Sequence, residues 1–375
     1  MKVTFFTNFI NHHQVPVADE FFKKLGQNYT FVATMPIPNV NLKLGYPDFS
    51  EKPYLLKAFE NDENYQKAIS LAMSSDIVIF GAAPKSLIKE RLKKNKLTFV
   101  YSERWFKKGY SILFHPKFWL NLIKNYYPYI HKHYYMLCAS AFTKKDVNLL
   151  GLFINKCFKW GYFPEINSTN SNIIKKENKI LTLLWVGRFL DWKHPELSIK
   201  LVNQLKNKGY SVKLEMVGEG PYLNNIKEMV KSFQLENEIA FLGSLPNNKV
   251  VDKFREADVF LFTSDRNEGW GAVLNEALAN RCAVVASDEI GSVPYLLEHN
   301  INGLIFKSGN LNDLFDKVEI LIKNPHLRHQ FSENGFLTIK NTWNAKDAVN
   351  NFFILVDHLM NHTQYKDIKG PASKA

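Results

Sequence analysis

The chain has 375 residues, 46% of them hydrophobic, which is enough apolar material for two domains that each bury a core. No apolar run is long enough to cross a membrane, and the opening MKVTFFTNFINHHQ lacks the layout of a secretory signal. Cys138, Cys157 and Cys282 lie in apolar stretches without metal-ligand spacing, so we expect buried free thiols in a reducing cytoplasm.

Positive charge is concentrated in the first half of the chain. Residues 1–175 contain 24 Lys and Arg against 12 Asp and Glu, a net charge of +12, whereas residues 176–375 contain 24 of each kind. An excess of this size in one half indicates an anionic partner for that half. No recognised nucleic-acid-binding motif accompanies the charge, so we expect no nucleic-acid partner.

Strand and helix patterns alternate through the first half, which predicts an α/β domain whose parallel sheet is covered on both faces. Short apolar runs predict strands at residues 3–7, 29–34, 76–81, 97–101 and 134–140. A helix is predicted at residues 16–25, where Pro16 suits the first turn. The proline-rich residues 36–53 predict a long irregular excursion.

Two adjacent histidines, His12 and His13, lie in the loop that follows the first predicted strand. Sheets of this kind bind ligands beyond the carboxyl ends of their strands, where a histidine can orient or deprotonate an acceptor hydroxyl. Hydrogen bonding to the local backbone is an equally good interpretation of both histidines. Glu103, at another predicted strand end, can likewise face a ligand or form a structural salt bridge.

An aromatic and basic segment follows at residues 104–145, which carry eight Lys or Arg and no Asp or Glu. Within it, residues 116–127 predict a helix with one apolar face. The ordinary interpretation is a helix packed on the core with its basic face in solvent. The alternative is a membrane-surface element, in which an anionic membrane surface is contacted by lysines around this helix: Lys107, Lys108, Lys117 and Lys124.

The composition changes at residues 161–179, which mix Gly, Pro, Asn, Ser and Thr as linkers do. We therefore predict a first domain at 1–165, a linker at 166–179 and a second domain at 180–342. Strands in the second domain are predicted at residues 180–186, 212–217, 239–242, 259–262, 283–286 and 303–306. A final helix at 343–362 and a loosely ordered tail at 363–375 complete the chain.

Residues 265–287, DRNEGWGAVLNEALANRCAVVAS, organise the second half. A buried strand precedes them, and a turn with two glycines, a helix at 272–279 and another strand follow in order. The start of such a helix binds anions, because its unpaired amides and its dipole both favour negative charge. Glu268 and Glu276 can accept hydrogen bonds from hydroxyls there, although a dipole-stabilising Glu268 and a solvated Glu276 are equally reasonable on these residues alone.

Two cations, Arg188 and Lys193, lie in the loop after the first strand of this domain. A planar guanidinium fork and a compact ammonium together suit a diphosphate. Taken alone, such a pair is more often simply solvated.

Four segments in this half resemble the retaining glycosyltransferases of family 4. EGWGAVLNE at 268–276 is similar to their E-x7-E element, and GRFLDWK at 187–193 is similar to their phosphate-binding GRxxxxK. MVGEGP at 216–221 resembles their G-x-G-P turn, and FLG at 241–243 resembles the strand end beside the nucleotide base. The resemblance covers about a third of the chain. It implies the α/β GT-B fold, in which two doubly wound Rossmann-like domains face each other across a cleft and a last helix returns to the first domain.

The same resemblance implies a nucleoside-diphosphate sugar donor, a UDP- or GDP-sugar, and a glycan or lipid-linked acceptor. It implies that Arg188 and Lys193 bind the diphosphate, that Glu276 bonds the ribose and that Glu268 bonds the transferred sugar. Further donor contacts are expected from the backbone or side chains of Gly187, Gly218, Glu219, Phe241, Leu242, Gly269, Trp270, Gly271 and Ala272. Since side chains and amides neutralise the departing diphosphate, we expect no metal ion and no other cofactor.

The sequence departs from the family pattern in two places. The loop after the first strand, NFINHHQ, lacks the glycines that many members have there, and Tyr295 stands where the family has an acid. Segments NFINHHQVP, YSERW and KWGYFPE resemble bacterial surface-polysaccharide glycosyltransferases. The leading hypothesis is therefore a cytoplasmic, membrane-associated transferase of surface polysaccharide biosynthesis. An inactive sugar-nucleotide-binding or scaffold protein and a nucleotide-sugar epimerase are the alternatives.

Overall fold

The structure is a computed structural model, which describes residues 1–38, 48–165, 180–361, 363 and 368–375. The predicted linker at 166–179 and the middle of the predicted excursion at 36–53 lie outside the described residues. The chain divides into two compact units, one made of Met1–Glu165 with Asn344–Ala375 and the other of Ile166–Trp343.

The described part of the first unit contains a seven-stranded parallel sheet in the order β3-β2-β1-β4-β5-β6-β7. Its strands are β1 Val3–Thr7, β2 Tyr29–Ala33, β3 Leu55–Lys57, β4 Ile77–Phe80, β5 Thr98–Ser102, β6 Tyr134–Cys138 and β7 Cys157–Lys159. Its helices are α1 Val15–Leu25, α2 Asp62–Ser74, α3 Lys89–Lys93, α4 Pro116–Asn125 and α5 Thr143–Leu149. All of β1 and β4 is buried, because helices cover both faces of a parallel sheet.

The second unit contains, within the residues described, a six-stranded parallel sheet in the order β10-β9-β8-β11-β12-β13. The strands are β8 Leu181–Val186, β9 Val212–Val217, β10 Ile239–Gly243, β11 Val259–Phe262, β12 Ala283–Ser287 and β13 Leu304–Phe306. The helices are α6 Pro195–Asn207, α7 Leu223–Ser232, α8 Asn247–Glu256, α9 Val273–Ala279, α10 Val293–Leu296, α11 Leu311–Lys323 and α12 Pro325–Asn341. In each sheet, successive strands are added first toward one edge and then toward the other. The change occurs between β1 and β4 in the first sheet and between β8 and β11 in the second.

The last helix, α13 Ala345–Asn361, packs within the first unit. The ring of Phe352 lies 5.4 Å from that of Phe21 on α1 and 5.0 Å from that of Phe99 on β5. Lys24 on α1 donates to the Asn350 side chain at 3.0 Å. The helix is therefore part of the core of this unit.

The end of the chain is also packed. Lys374 forms an antiparallel bridge with Phe158 on the edge strand β7, and the Ala372 amide donates to the Lys159 carbonyl at 2.7 Å. The prediction of a loosely ordered tail is therefore wrong for residues 370–375, because they pair with a sheet edge that the sequence pattern did not reveal.

The cysteines are free and buried, as expected from their apolar surroundings. Across the ranges that the structure describes, no helix is both long enough and apolar enough to span a bilayer.

Candidate functional site

Two loops leave the carboxyl ends of the neighbouring strands β8 and β11, at the point where the second sheet changes direction. The first loop covers residues 187–194 and the second covers residues 263–272. Ligands of open α/β sheets bind at such a switch point, because the adjacent loops diverge there and leave a crevice. Most of the predicted donor-binding residues lie in these two loops.

Lys193 and Glu268 join the two loops directly. The Lys193 ammonium lies 2.6 Å from Glu268 Oε2, and the two side chains are only 14% and 11% exposed. Ser264 donates a second hydrogen bond to the same oxygen at 3.1 Å. In the other direction, the Thr263 hydroxyl donates to the Lys193 carbonyl at 2.7 Å. The sequence assigned these two residues separate roles, whereas the structure makes them one ion pair at the centre of the site.

His194 adds a second connection between the loops. It adopts a left-handed backbone conformation with φ 49°, and its two ring nitrogens lie 2.8 Å from Glu196 Oε1 and 3.3 Å from Asp265 Oδ2. The hydrogen bond that His194 donates to Glu196 and the charges of both carboxylates raise the pKa of His194, and partial burial opposes this only in part. When protonated, the imidazole can donate both to Glu196 in the first turn of α6 and to Asp265 in the second loop.

The glycines of the turn at 218–221 are required by the protein itself. Gly218 has φ +127°, and a Cβ added there would lie 2.0 Å from the Gly187 carbonyl oxygen. The adjacent loop is held by a hydrogen bond from the Phe189 amide to the Glu219 carbonyl at 3.0 Å. The family resemblance attributes these glycines to a close approach by the donor; the contact with the 187–189 backbone already demands them.

The remaining predicted donor contacts near these loops are accessible. Arg188 is exposed, and none of the described carboxylates lies within ion-pair distance of it. Glu219 is also exposed, while Phe241 and Leu242 at the end of β10 are half-buried. The half-buried Phe241 ring lies 6.1 Å from the fully buried ring of Phe189.

Trp270 was predicted to bind the sugar-nucleotide donor, but its side chain is buried in the protein. Its indole is 1% exposed, donates to Asn275 Oδ1 at 2.9 Å and lies parallel to the Trp343 ring with centroids 5.9 Å apart. The indole therefore holds the turn before α9 in place, and only the backbone of residues 269–272 is left to contact a donor. Gly271 completes this turn with φ +82°, where a Cβ would lie 2.4 Å from the Phe262 ring.

Glu276 lies in the first turn of α9, which begins at Val273, one residue later than predicted. Although part of its surface is accessible, desolvation raises the pKa of the Glu276 carboxyl to about 7. Hydrogen bonds from ligand hydroxyls stabilise such an ionised carboxylate, because they offset part of its desolvation cost.

The first unit contains a cavity of about 510 Å³ at the carboxyl ends of β1, β4 and β5. Asn11 and Gln14, from the loop after β1, line it. His12 and His13 belong to the same loop, but neither is among the residues that line the cavity. Their rings lie 3.8 Å apart, and burial lowers both pKa values, that of His13 to about 3 with a contribution from His12. His13 is thus too weak a base to take a proton efficiently near neutral pH, which leaves His12 as the better candidate.

Glu103 lines the same cavity and is held by two neighbours. Its carboxylate forms an ion pair with Lys107 and accepts a hydrogen bond from the Tyr162 hydroxyl at 3.0 Å. Lys107 was predicted to belong to a membrane-facing group of lysines. In the structure its ammonium is paired with Glu103 and its side chain lines the cavity.

The other three lysines of that group, Lys108, Lys117 and Lys124, are exposed. They lie around α4, whose apolar face is only partly used for packing. Leu122 is fully buried, whereas Ile123 is 57% exposed and Phe114, just before the helix, is 88% exposed. The segment thus presents basic and large apolar side chains to solvent together.

Residues 167–338 match the model of the family described as glycosyl transferases group 1. This part of the chain is therefore similar to that family. An uncharacterized glycosyltransferase of Methanocaldococcus jannaschii is 28% identical over 278 residues, which are 72% of this chain and 64% of the relative. Another, from Haemophilus influenzae, is 28% identical over 174 residues, 46% of this chain and 48% of the relative. The chain therefore spans about half to two thirds of the length of these relatives.

Among solved structures, that of Anabaena HepE in complex with UDP is similar to 94% of this chain and 99% of its own, with a TM-score of 0.71 and 13% identity. HepE is also known in complex with UDP-glucose. At this identity the likeness shows the fold, and it confirms the expected α/β GT-B class. The resemblance to group 1 glycosyltransferases is confirmed as well, and the relatives support a transferase.

Sequence reasoning missed His194, which lies within the part of the chain that matches the family model. The available signal was a histidine directly after Lys193 with an acid two positions later. We expect His194→Gln to raise the donor KM about fivefold near pH 6.5, since a partly exposed charge-assisted bridge contributes roughly 1 kcal/mol.

The raised pKa of His194 also predicts how its contribution to donor binding changes with pH. Because the pKa of His194 is raised, the bridge is complete below the ordinary histidine pKa of about 6.5 and is lost as the pH rises through the folded value. Measured from pH 6 to pH 9, the roughly fivefold advantage of the wild-type donor KM over that of His194→Gln should shrink as the pH rises, because Glu276 titrates in both proteins and the ratio isolates His194. A ratio of the two KM values that does not change with pH would contradict this role.

Proposed function

We propose that the protein is a retaining glycosyltransferase of the family 4 type, which transfers a sugar from a nucleoside-diphosphate sugar to a hydroxyl of a glycan or lipid-linked acceptor in cell-surface polysaccharide biosynthesis. The observation that carries the proposal is the buried Lys193–Glu268 pair between the two loops, with the exposed Arg188 beside it in sequence. UDP is the first candidate for the nucleotide, since HepE, a protein of the same fold, has been solved with UDP and with UDP-glucose.

The two members of the ion pair, Lys193 and Glu268, can bind different parts of the sugar-nucleotide donor. An ammonium has three donors, so Lys193 can bind a phosphate oxygen while it keeps Glu268 in place. Glu268 retains acceptor capacity for a sugar hydroxyl. Arg188 and the backbone amides of residues 269–272 supply further positive charge to the diphosphate.

Transfer then requires one bond to break and one to form. The bond between the anomeric carbon and the diphosphate oxygen breaks, and the acceptor oxygen bonds to that carbon on the same face. The acceptor proton passes to the departing phosphate oxygen, and His12 can orient the hydroxyl. Fixed cations that stabilise the charge developing on the leaving group are worth several kcal/mol of barrier.

The decisive test is the release of nucleoside diphosphate. The purified protein should first be screened by thermal shift with UDP, GDP, ADP and their sugars, since a ligand at 100 times its Kd stabilises a fold by about 2.7 kcal/mol. Release of nucleoside diphosphate from the selected sugar donor should then depend on added acceptor. Binding without release would favour an inactive sugar-nucleotide-binding protein, and acceptor-independent conversion of the donor would favour an epimerase.

We further propose that transfer needs no metal ion, because side chains and amides supply the cations. Acceptor-dependent turnover should remain within about twofold of its initial rate in excess EDTA, where a lost phosphate-binding cation would cost roughly 2.7 kcal/mol or more. Loss of activity in EDTA that manganese or magnesium restores would refute this.

The exposed face around α4 supports peripheral binding to an anionic membrane on the cytoplasmic side. Three lysines close to a bilayer contribute about 3 kcal/mol, which suffices for reversible docking, and Phe114, Leu120 and Ile123 can enter the headgroup region. We expect the protein to sediment with phosphatidylserine-containing liposomes at low ionic strength and to leave them in high salt.

The matched variants separate this surface from overall charge. Replacing Lys108, Lys117 and Lys124 by glutamate should abolish sedimentation, whereas the same change at the exposed Lys208, Lys213 and Lys231 of the second unit should have little effect. UDP binding should survive in both triple variants. Equal loss in the two would mean that net charge, and not this face, determines binding.

A further inference from the structure

The cavity of the first unit contains a lysine with no anionic partner. Lys85 follows β4 and lines the cavity, and its ammonium lies 3.5 Å from the centroid of the Tyr126 ring. Within the residues that the structure describes, no carboxylate forms an ion pair with it. Burial lowers the pKa of Lys85 to about 8, so its surroundings do not compensate the charge.

The other charged groups that line the cavity have partners of their own. Lys107 is paired with Glu103, which also accepts the Tyr162 hydroxyl. Arg104 lies 3.8 Å from Asp146 Oδ2 and over the Phe142 ring. After these pairings, the cavity keeps one uncompensated positive charge, that of Lys85.

The rest of the lining suits a sugar. Asn8, Asn11, Tyr101 and Ser102 contribute amides and hydroxyls, beside apolar groups of Phe9, Phe80 and Val100. Gln14 is 6% exposed, and none of the described donors bonds its side-chain oxygen, Oε1. A volume of about 510 Å³ falls in the range of small-molecule sites.

We propose that this cavity binds the acceptor and that Lys85 recognises an anionic group, a phosphate or a carboxylate, carried by that acceptor. The proposal rests on the proposed transferase function and specifies the substrate class of its second site. A structural role for Lys85 on the Tyr126 ring is the competing explanation, but such a role would give no preference between charged and neutral ligands.

Three probes of similar size test it: glucose 1-phosphate, glucuronate and methyl glucoside. Their Kd values should be measured by NMR titration with UDP held at saturation, so that the phosphate site of the second unit is filled. We expect the wild type to bind at least one anionic probe about tenfold or more tighter than methyl glucoside, the gain typical of one charge-assisted hydrogen bond. Comparison of glucose 1-phosphate with glucuronate shows whether the cavity prefers a phosphate or a carboxylate.

The variants identify the residue responsible. Lys85→Gln should remove the preference for the anionic probe, and Lys85→Arg should keep most of it. Lys89→Gln, four residues along and not among the residues that line the cavity, should match the wild type. UDP affinity, measured by calorimetry, should be unchanged in all three variants, and an unchanged melting temperature shows that each is folded.

The outcomes are distinct from those of the proposed function. If the wild type shows no anionic preference, or binds none of the probes, the inference is overturned even though UDP-sugar is turned over. It is also overturned if Lys85→Gln keeps the preference. If instead UDP and its sugars fail to bind, the proposed donor function fails, while the anionic preference of the first unit is still measured on its own.

Discussion

Lys193→Ala is expected to lower turnover by about 100- to 1000-fold, the usual cost of one transition-state donor at roughly 2.7–4 kcal/mol. The ammonium is the only group seen to join the loop after β8 to the carboxylate of Glu268 among the described residues. Acceptor-dependent release of nucleoside diphosphate measures the effect. Lys208→Ala, an exposed lysine of the same unit, is the matched control and should keep full turnover.

The ion pair makes stability part of this test. Removing the ammonium leaves Glu268 largely buried without its cation, and breaking such a pair costs several kcal/mol of unfolding free energy. Turnover must therefore be measured well below the melting temperature. The double variant Lys193→Ala/Glu268→Ala should regain stability relative to Lys193→Ala without regaining activity. Recovery of turnover in the double variant would show that Lys193 acts only by neutralising Glu268.

The strands of the second sheet could be predicted to within one residue at each end, because parallel strands covered on both faces read as continuous apolar runs. The three-residue strands β3 and β7 were missed, whereas β13, which is equally short, was predicted. Nothing in the sequence of residues 370–375 indicates that they reach the edge formed by β7.

The contacts within the candidate site could not be predicted in the same way. Lys193 and Glu268 are 75 positions apart, and only the strand order β8-β11 brings their loops together. The sequence motifs identified Lys193 and Glu268, but the ion pair between them depends on the strand order of the sheet, which the motifs do not contain. Trp270 shows the reverse: a position inside the motif whose side chain serves the Trp343 contact instead of the donor.

Helix α4 shows a limit of amphipathic patterns. Phe118, Leu122 and Ile123 belong to one predicted apolar face, yet Leu122 is buried and Ile123 is mostly exposed. The helical period determines which residues share a face, but it does not determine how much of that face the rest of the domain covers. The exposed remainder became visible only when the packing around Leu122 was known.

Glu276→Ala is expected to weaken UDP binding by about 10- to 100-fold, because a hydrogen bond from a hydroxyl to a charged acceptor contributes roughly 1.5–3 kcal/mol. Glu268→Ala should leave UDP affinity nearly unchanged and lower the transfer of sugar. Calorimetry with UDP on both variants compares the two roles. Equal losses of UDP affinity would show that the two carboxylates do not divide the donor as proposed.

The raised pKa of Glu276 predicts a proton linked to binding. At pH 6 the carboxyl is mostly protonated in the free protein, since its pKa is about 7. Ribose hydroxyls favour the ionised form, so UDP binding should release a proton there and should strengthen as the pH rises from 6 to 8. Calorimetry at pH 6 in two buffers of different ionisation enthalpy measures the protons released, and Glu276→Gln should release fewer of them than the wild type, because only the contribution of the UDP phosphate remains.

The same pKa predicts an opposite effect on stability. A carboxyl whose folded pKa is raised favours the folded state when protonated, so its ionisation costs stability as the pH rises above the unfolded value of about 4.3. Glu276→Gln removes that cost, so without ligand it should melt at a higher temperature than the wild type at pH 8 and at nearly the same temperature at pH 4. A variant that loses both UDP affinity and stability at pH 8 would mean that Glu276 supports the fold. Loss of affinity with a gain in stability would mean that the protein keeps a strained carboxylate for its ligand.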